Sequence, residues 1–325
     1  MTSLLVAKQY LKKFYGRYEV YLVPLWKFLL AFTSLMLING RLGFMEKIDR
    51  MTIVLIAALM CSFMPMNFII IVAAAFVLLH VYALSLECAV VVLAAFLLMF
   101  LLYFRFSPKD TVVVLLTPIC FWMRIPYVIP IVMGLLGSPA SAVSVACGTV
   151  VYYLIAYVNE STTTLISMEA DEITAKFRFI IDGMLDNRTM VVTAAAFAIT
   201  LVLVYLIRRL SVDHSWTIAI VAGSLVNIML LLVGDLMFDT NVAIGGVILS
   251  TAAAALIAAV IQFFAFNVDY GRTEKVQFED DEYYYYVKAV PKVTVSTPER
   301  KVKKINQQKK ARSSQKSTEG KKTGQ

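Results

Sequence analysis

His80 stands in the apolar string FVLLHVYAL, and Glu87 follows seven residues later. On a continuous helix that spacing returns to the same face, so the pair is a candidate proton relay. The alternative is structural: His80 donates to a neighbouring helix and Glu87 sits in a loop at the membrane interface. Arg124 lies between two short apolar runs, with Pro118, Pro126 and Pro130 around it. A guanidinium held between half-helices can bind an anionic substrate or a lipid phosphate. The same side chain can instead snorkel to headgroups. Asn227, Gln262 and Asp235 suit interhelical hydrogen bonds or helix ends better than ligand binding.

Little else in the chain offers chemistry. GxGxxG, P-loop, HExxH and GxSxG patterns are all missing. With His80 and His214 as the only histidines, a multi-histidine metal site is excluded. Cys61, Cys88, Cys120 and Cys147 form no CxxC pair and read as buried, inert thiols. The expectation is therefore no catalytic residue, no metal and no cofactor.

The elements that must carry these residues follow from composition. Of 325 residues, 60% are hydrophobic and 16% charged; soluble domains carry about 25% charged residues. A soluble enzyme, a fibre and a disordered chain are excluded. What remains is an all-α, polytopic transmembrane bundle with a disordered basic C-terminal tail.

Residues 1–20 alternate Leu4, Leu5, Tyr10, Leu11 and Phe14 with Lys8, Lys12, Lys13 and Arg17, which predicts an interfacial amphipathic helix. No small-residue cleavage site follows it, so a removable signal is not expected. The bundle occupies 21–266. About 20 apolar residues cross the hydrocarbon, and the runs predict spans near 21–38, 138–158, 190–207, 216–233 and 242–266. The stretch Met51–Tyr103, broken at Pro65 and Ser85, divides into three spans (51–64, 68–86, 88–104), with two spans as the alternative. Residues 111–137 are cut by prolines into pieces too short to cross, which predicts a discontinuous pair or a re-entrant hairpin. That makes about eight spans plus one broken segment. In 159–189, Ile166, Ile173, Phe177, Ile180 and Met184 recur on one helical face, predicting an amphipathic segment against the membrane or the bundle.

Orientation follows from Lys and Arg placement. The net charge is +8, and 267–325 holds 14 basic and 8 acidic residues. Placing this tail in the cytoplasm puts the N-terminus and Arg208-Arg209 inside, and 159–189 outside. The loop Asn39–Arg50, with Arg41, Lys47 and Arg50, disagrees.

Within the tail, QFEDDEYYYYVKAVPK (277–292) sets four acids against Tyr283, Tyr284, Tyr285 and Tyr286, followed by alternating valines. That pattern predicts an exposed strand able to dock a cytoplasmic protein partner, or else a sticky linker or membrane-surface aromatic patch. The lysine-rich end beyond suits anionic lipid headgroups; nucleic acid is not an expected partner. This string and the spans before it resemble uncharacterised multi-pass membrane proteins of Gram-positive, clostridial-type bacteria. The resemblance implies a bacterial plasma membrane and no particular substrate. Two functions fit the sequence: a permease-like membrane component without catalytic chemistry, favoured by the broken region, and a membrane scaffold docking a partner through its tail.

Overall fold

The structure is a computed structural model that describes residues 2–168, 173–240, 243–265, 274–280 and 282–289. The lysine-rich run 300–325, with its lipid-binding expectation, lies outside them. Among the described residues the chain is a helical bundle followed by one two-stranded sheet.

α1 (Thr2–Leu42) departs from helical geometry at Tyr18 and contains Pro24. Residues 9–21 are exposed, and Lys8 donates to the Phe263 carbonyl at 2.8 Å. Since Phe263 lies near the end of α13 (Ile244–Ala265), the start of α1 and the end of α13 lie on one side of the bundle, here called the tail side.

Seven helical stretches are long and apolar enough to cross a membrane: in α1, α4 (Met66–Leu84), α5 (Leu86–Phe106), α8 (Ser141–Glu160), a run through α10 (Ile173–Leu185) and α11 (Arg188–Arg208), α12 (Ser215–Phe238) and α13. The remaining expected span, at 51–64, is α3 (Met51–Phe63), which has 13 residues. At 1.5 Å per residue it measures about 20 Å, against about 30 Å of hydrocarbon. Its partner contacts explain how so short a helix returns the chain. Ser62 Oγ donates to the Pro24 carbonyl and Lys27 Nζ to the Met64 carbonyl, fixing the end of α3 beside the tail-side half of α1. At the other end, the link through α2 (Glu46–Asp49) is drawn back alongside the last turns of α1. α3 therefore starts below the level at which α1 ends.

α10 packs on α5 and α8. Ile180 is buried there, whereas Ile173 and Ile166 are exposed. Gly183 receives the Tyr157 ring so closely that a Cβ would fall 2.0 Å from the phenol oxygen. The short α9 (Thr162–Ser167) precedes it.

In the tail the structure extends the expectation. β2 (Tyr284–Ala289) is not a lone strand but pairs antiparallel with β1 (Glu274–Glu279), in a register that sets Phe278 against Tyr285 and Val276 against Val287. The described part of the tail is thus a two-stranded hairpin, and the rest of 267–325, on which the expectation of disorder also rests, lies outside the described residues. Asp280 organises the turn: its Oδ1 accepts from the backbone N–H groups of Glu282 and Tyr283, and its Oδ2 accepts from the Tyr285 hydroxyl at 2.8 Å.

Candidate functional site

The broken region consists of α6 (Thr111–Trp122) and α7 (Val128–Leu136). α6 runs along α8 in the same direction: Ser107 and Ser144 share a 2.6 Å hydrogen bond, Gly148 sits against Thr117, and Phe121 stacks on Tyr152 at 4.3 Å. α7 runs along α11 in the same direction, with Tyr127 against Phe197, Gly134 against Val204, and the Gly137 carbonyl accepting from Arg208 at 2.8 Å. α8 and α11 are themselves antiparallel, joined at Tyr153–Thr193 with the start of α8 near the end of α11. α6 and α7 therefore run in opposite directions, and the segment enters and leaves on the tail side. It is a re-entrant hairpin.

Depth follows from the same pairings. Phe197, level with the tip, lies eleven residues before Arg208, or about 16 Å along α11. Ser250, whose hydroxyl donates to the Arg124 carbonyl at 2.8 Å, is twelve residues before Gln262, or about 18 Å along α13. The tip thus reaches about half the depth of the bundle.

Local chemistry explains the shape. Pro118 has no N–H, which leaves the Val114 carbonyl without its helical donor. Gly148 lets the α8 backbone close on that carbonyl: a Cβ there would lie 3.0 Å from it. α6 then ends in a Schellman motif, with the Ile125 N–H bonded to the Cys120 carbonyl and the Arg124 N–H to the Phe121 carbonyl. The residue at the left-handed position of that motif is normally glycine. Here it is Arg124, at φ 61°. Its side chain is exposed, beside exposed Trp122 and Met123. A charged residue in a strained position at half depth is the most unusual feature of the bundle. On the other flank of the tip, a groove lined by Arg41, Asn159, Tyr152, Trp122 and Pro118 runs toward the side opposite the tail.

His80 and Glu87 are not brought together. Ser85 breaks the chain between α4 and α5 and caps α5, accepting from the Cys88 N–H. A continuous helical face therefore does not connect them. His80 is fully buried; its Nδ1 accepts from the Met45 N–H at 3.2 Å. That fixes the proton on Nε2, which donates to Asn39 Oδ1 at 3.0 Å, while Asn39 Nδ2 donates to the Ile48 carbonyl at 2.9 Å. Irregular backbone at membrane depth needs such partners, and His80 supplies them to the α1–α3 link. Glu87 lies at the start of α5, accepting from the Ser85 hydroxyl at 2.5 Å and attracted electrostatically by Lys176 of α10.

A second polar cluster closes the tail-side entry to the hairpin. The Tyr103 hydroxyl bonds Thr111 Oγ1 and the Pro108 carbonyl, and Thr111 donates to Asn67 Oδ1. Above it lies an apolar cavity of about 70 Å³ walled by Leu37, Ile70, Phe96, Val114 and Pro118. That is well below the size of a typical small-molecule pocket.

Gln262 bridges α13 to α12 through Thr217, and Asp235 accepts from Thr240 at a helix end. Asn227, expected to bond across helices, bonds to no described group. Among the described residues, no cluster of three or more His, Cys, Asp or Glu is placed to hold a metal ion. Tyr283, Tyr284, Tyr285 and Tyr286 are exposed on the tail hairpin, separated in sequence from the bundle by 266–273. Comparison with protein-family models, curated proteins and solved structures gives no match to this chain.

Proposed function

We propose that this multi-pass membrane protein is a permease-like transport component, without catalytic chemistry, in a bacterial plasma membrane, with its C-terminal tail in the cytoplasm. The observation that carries the reading is the re-entrant hairpin that brings Arg124 to about half depth. Broken helices at that depth expose backbone groups to a cavity or substrate instead of lipid, and a guanidinium there attracts an anion, either a small solute or a lipid phosphate. Arg41 lines the groove on the other flank of the tip and adds a positive charge there.

The test is flux. Purified protein in liposomes is challenged with chloride, nitrate, phosphate and lactate, and in parallel with a fluorescent phosphatidylglycerol whose transfer between leaflets is read by dithionite quenching. Transfer above empty liposomes for one of these anions, lost in Arg124→Ala at equal incorporation, is expected. Unchanged transfer in Arg124→Ala overturns the role given to that residue.

A second reading rests on the tail hairpin, whose exposed tyrosines suit docking of a cytoplasmic protein. Deletion of 274–289 that abolishes partner capture from detergent extracts, with the bundle still folded, would favour a scaffold.

A further inference from the structure

Some buried hydroxyls on the helices of this bundle fold back onto their own helix, and others bond a neighbouring element, as Ser62 does to the Pro24 carbonyl and Thr193 to Tyr153. Ser34 donates to the Leu30 carbonyl, Thr117 to Val113 and Thr149 to Val145, all between 2.7 and 2.9 Å. This is the usual way to satisfy such a group in apolar surroundings. Four side chains in the C-terminal half do otherwise. Thr200 Oγ1 on α11, Ser224 Oγ and both amide atoms of Asn227 on α12, and Thr251 Oγ1 on α13 are buried without a hydrogen bond to any described group. Thr200 and Asn227 are 0% exposed and Thr251 is 1% exposed.

The helix pairings bring them to one depth. α12 is antiparallel to α11, with Gly223 against Val204 and Gly234 against Val192; a Cβ at Gly223 would also come within 3.9 Å of the Thr200 methyl. Asn227 follows one turn along the same face. α13 is antiparallel to α12 through Gln262 and Thr217, which sets Thr251 level with residue 228. Thr251 belongs to the buried stripe Val247, Thr251, Ala254, Ala258, on a helix packed against α7 and α12. The four polar side chains thus share the middle depth of the bundle, beside the returning half of the hairpin.

We propose that Thr200, Ser224, Asn227 and Thr251 form a binding site for a small uncharged molecule that both donates and accepts hydrogen bonds: water, or a small neutral amide or polyol. An unpaired buried amide or hydroxyl is costly, so several at one level call for an occupant. The chemistry of the set selects its class. No titratable side chain belongs to the set, so a buried ion has no counter-charge within it. A cation held by Asn227 Oδ1 would leave the Nδ2 donors unpaired, and an anion held by Nδ2 would leave Oδ1 unpaired. A neutral donor–acceptor satisfies both. The inference does not depend on the transport reading.

The experiment is X-ray radiolytic hydroxyl-radical footprinting of the full-length protein in phosphatidylcholine–phosphatidylglycerol nanodiscs, since bound water promotes oxidation of its neighbours. Phe197, Leu201 and Leu231, buried in the same half, report the site; Ile69 and Leu154, buried in the other half, are controls. Labelling of the reporters above the controls, lost in Asn227→Leu/Thr251→Val, is expected. Repeating the measurement with urea and glycerol separates the sources: a saturable fall of the reporters relative to the controls identifies an exchanging solute, and an unchanged reporter-to-control ratio identifies water. Either supports the site. Reporters labelled no more than controls, or labelled equally in the variant, overturn it. Where the double variant does not fold, Thr251→Val alone gives the same readout.

Discussion

Arg124 occupies a backbone conformation that costs an L-residue about 1–2 kcal/mol relative to glycine. Glycine in turn loses more chain entropy on folding, by up to about 1 kcal/mol. Arg124→Gly removes the first cost and incurs the second; Arg124→Ala keeps the left-handed strain because it keeps the Cβ. Both variants lose the same charge and the same exposed side chain, so their difference isolates the backbone at φ 61°. Arg124→Gly is therefore expected to be the more stable of the two by about 0.5–1 kcal/mol, or about 2 °C in a chain of this size. The four cysteines are all buried and free, so a thiol-reactive fluorogenic maleimide reports unfolding directly during a detergent melt. Arg124→Ala melting at or above Arg124→Gly would refute the reasoning, because the Schellman turn at the tip would then not hold residue 124 left-handed. Anion transfer, by contrast, should be lost equally in both variants.

His80→Leu strands the Met45 N–H and Asn39 Oδ1 at depth, and should cost about 2–4 kcal/mol, seen in the same melt; a loss no larger than that of an exposed control such as Leu97→Ala would contradict the clamp. Gly223→Ala drives a methyl to within 2.2 Å of Val204 and should destabilise by about 1–3 kcal/mol, with Gly223→Ala/Val204→Ala recovering part of the loss. In the tail, the Tyr285 hydroxyl, with the N–H groups of Glu282 and Tyr283, holds the Asp280 carboxyl below its ordinary range. Its contribution to the hairpin is therefore present above the unfolded carboxylate value and lost as pH falls through the lower folded one. The same bond raises the Tyr285 phenol, so its contribution holds below the unfolded phenol value and is lost as pH rises through the folded one. Tyrosine fluorescence anisotropy of the tail should report both transitions, and Asp280→Asn should abolish the acid one.

Apolar run length and proline placement were enough to read the helical membrane bundle and the break at 111–137, because both are local properties of the chain, but they left a discontinuous pair and a re-entrant hairpin open. The depth of the hairpin was not legible, since it depends on which residues of α8 and α11 lie beside it. Nor did spacing reveal Arg124 at a glycine position: φ is set by the Ile125 and Arg124 N–H bonds to the preceding turn. The seven-residue relation of His80 to Glu87 failed at Ser85, a helix cap that also reads as an ordinary polar break. Asn227 carried no signal beyond its type, because an amide that finds a partner and one that does not look the same in sequence. β1 was missed because EKVQFE is largely polar, and its pairing with β2 shows only in the register. The helical character of 1–20 was read from its alternation, but its contact with the end of α13, Lys8 on Phe263, joins residues 255 apart.

Val204 is flanked on two sides by glycines, Gly134 of α7 and Gly223 of α12, each so close that its missing Cβ would overlap the valine. One isopropyl group therefore acts as a common pivot for three helices. Travel of α7 along the membrane normal would bring Pro130 or Ile131, one turn away on the same face, into the place of Gly134 and is opposed sterically. Tilting about the notch is not. Any movement of the returning half-helix is thus confined to a swing, and because the same valine seats in α12, that swing is felt in the wall carrying Asn227.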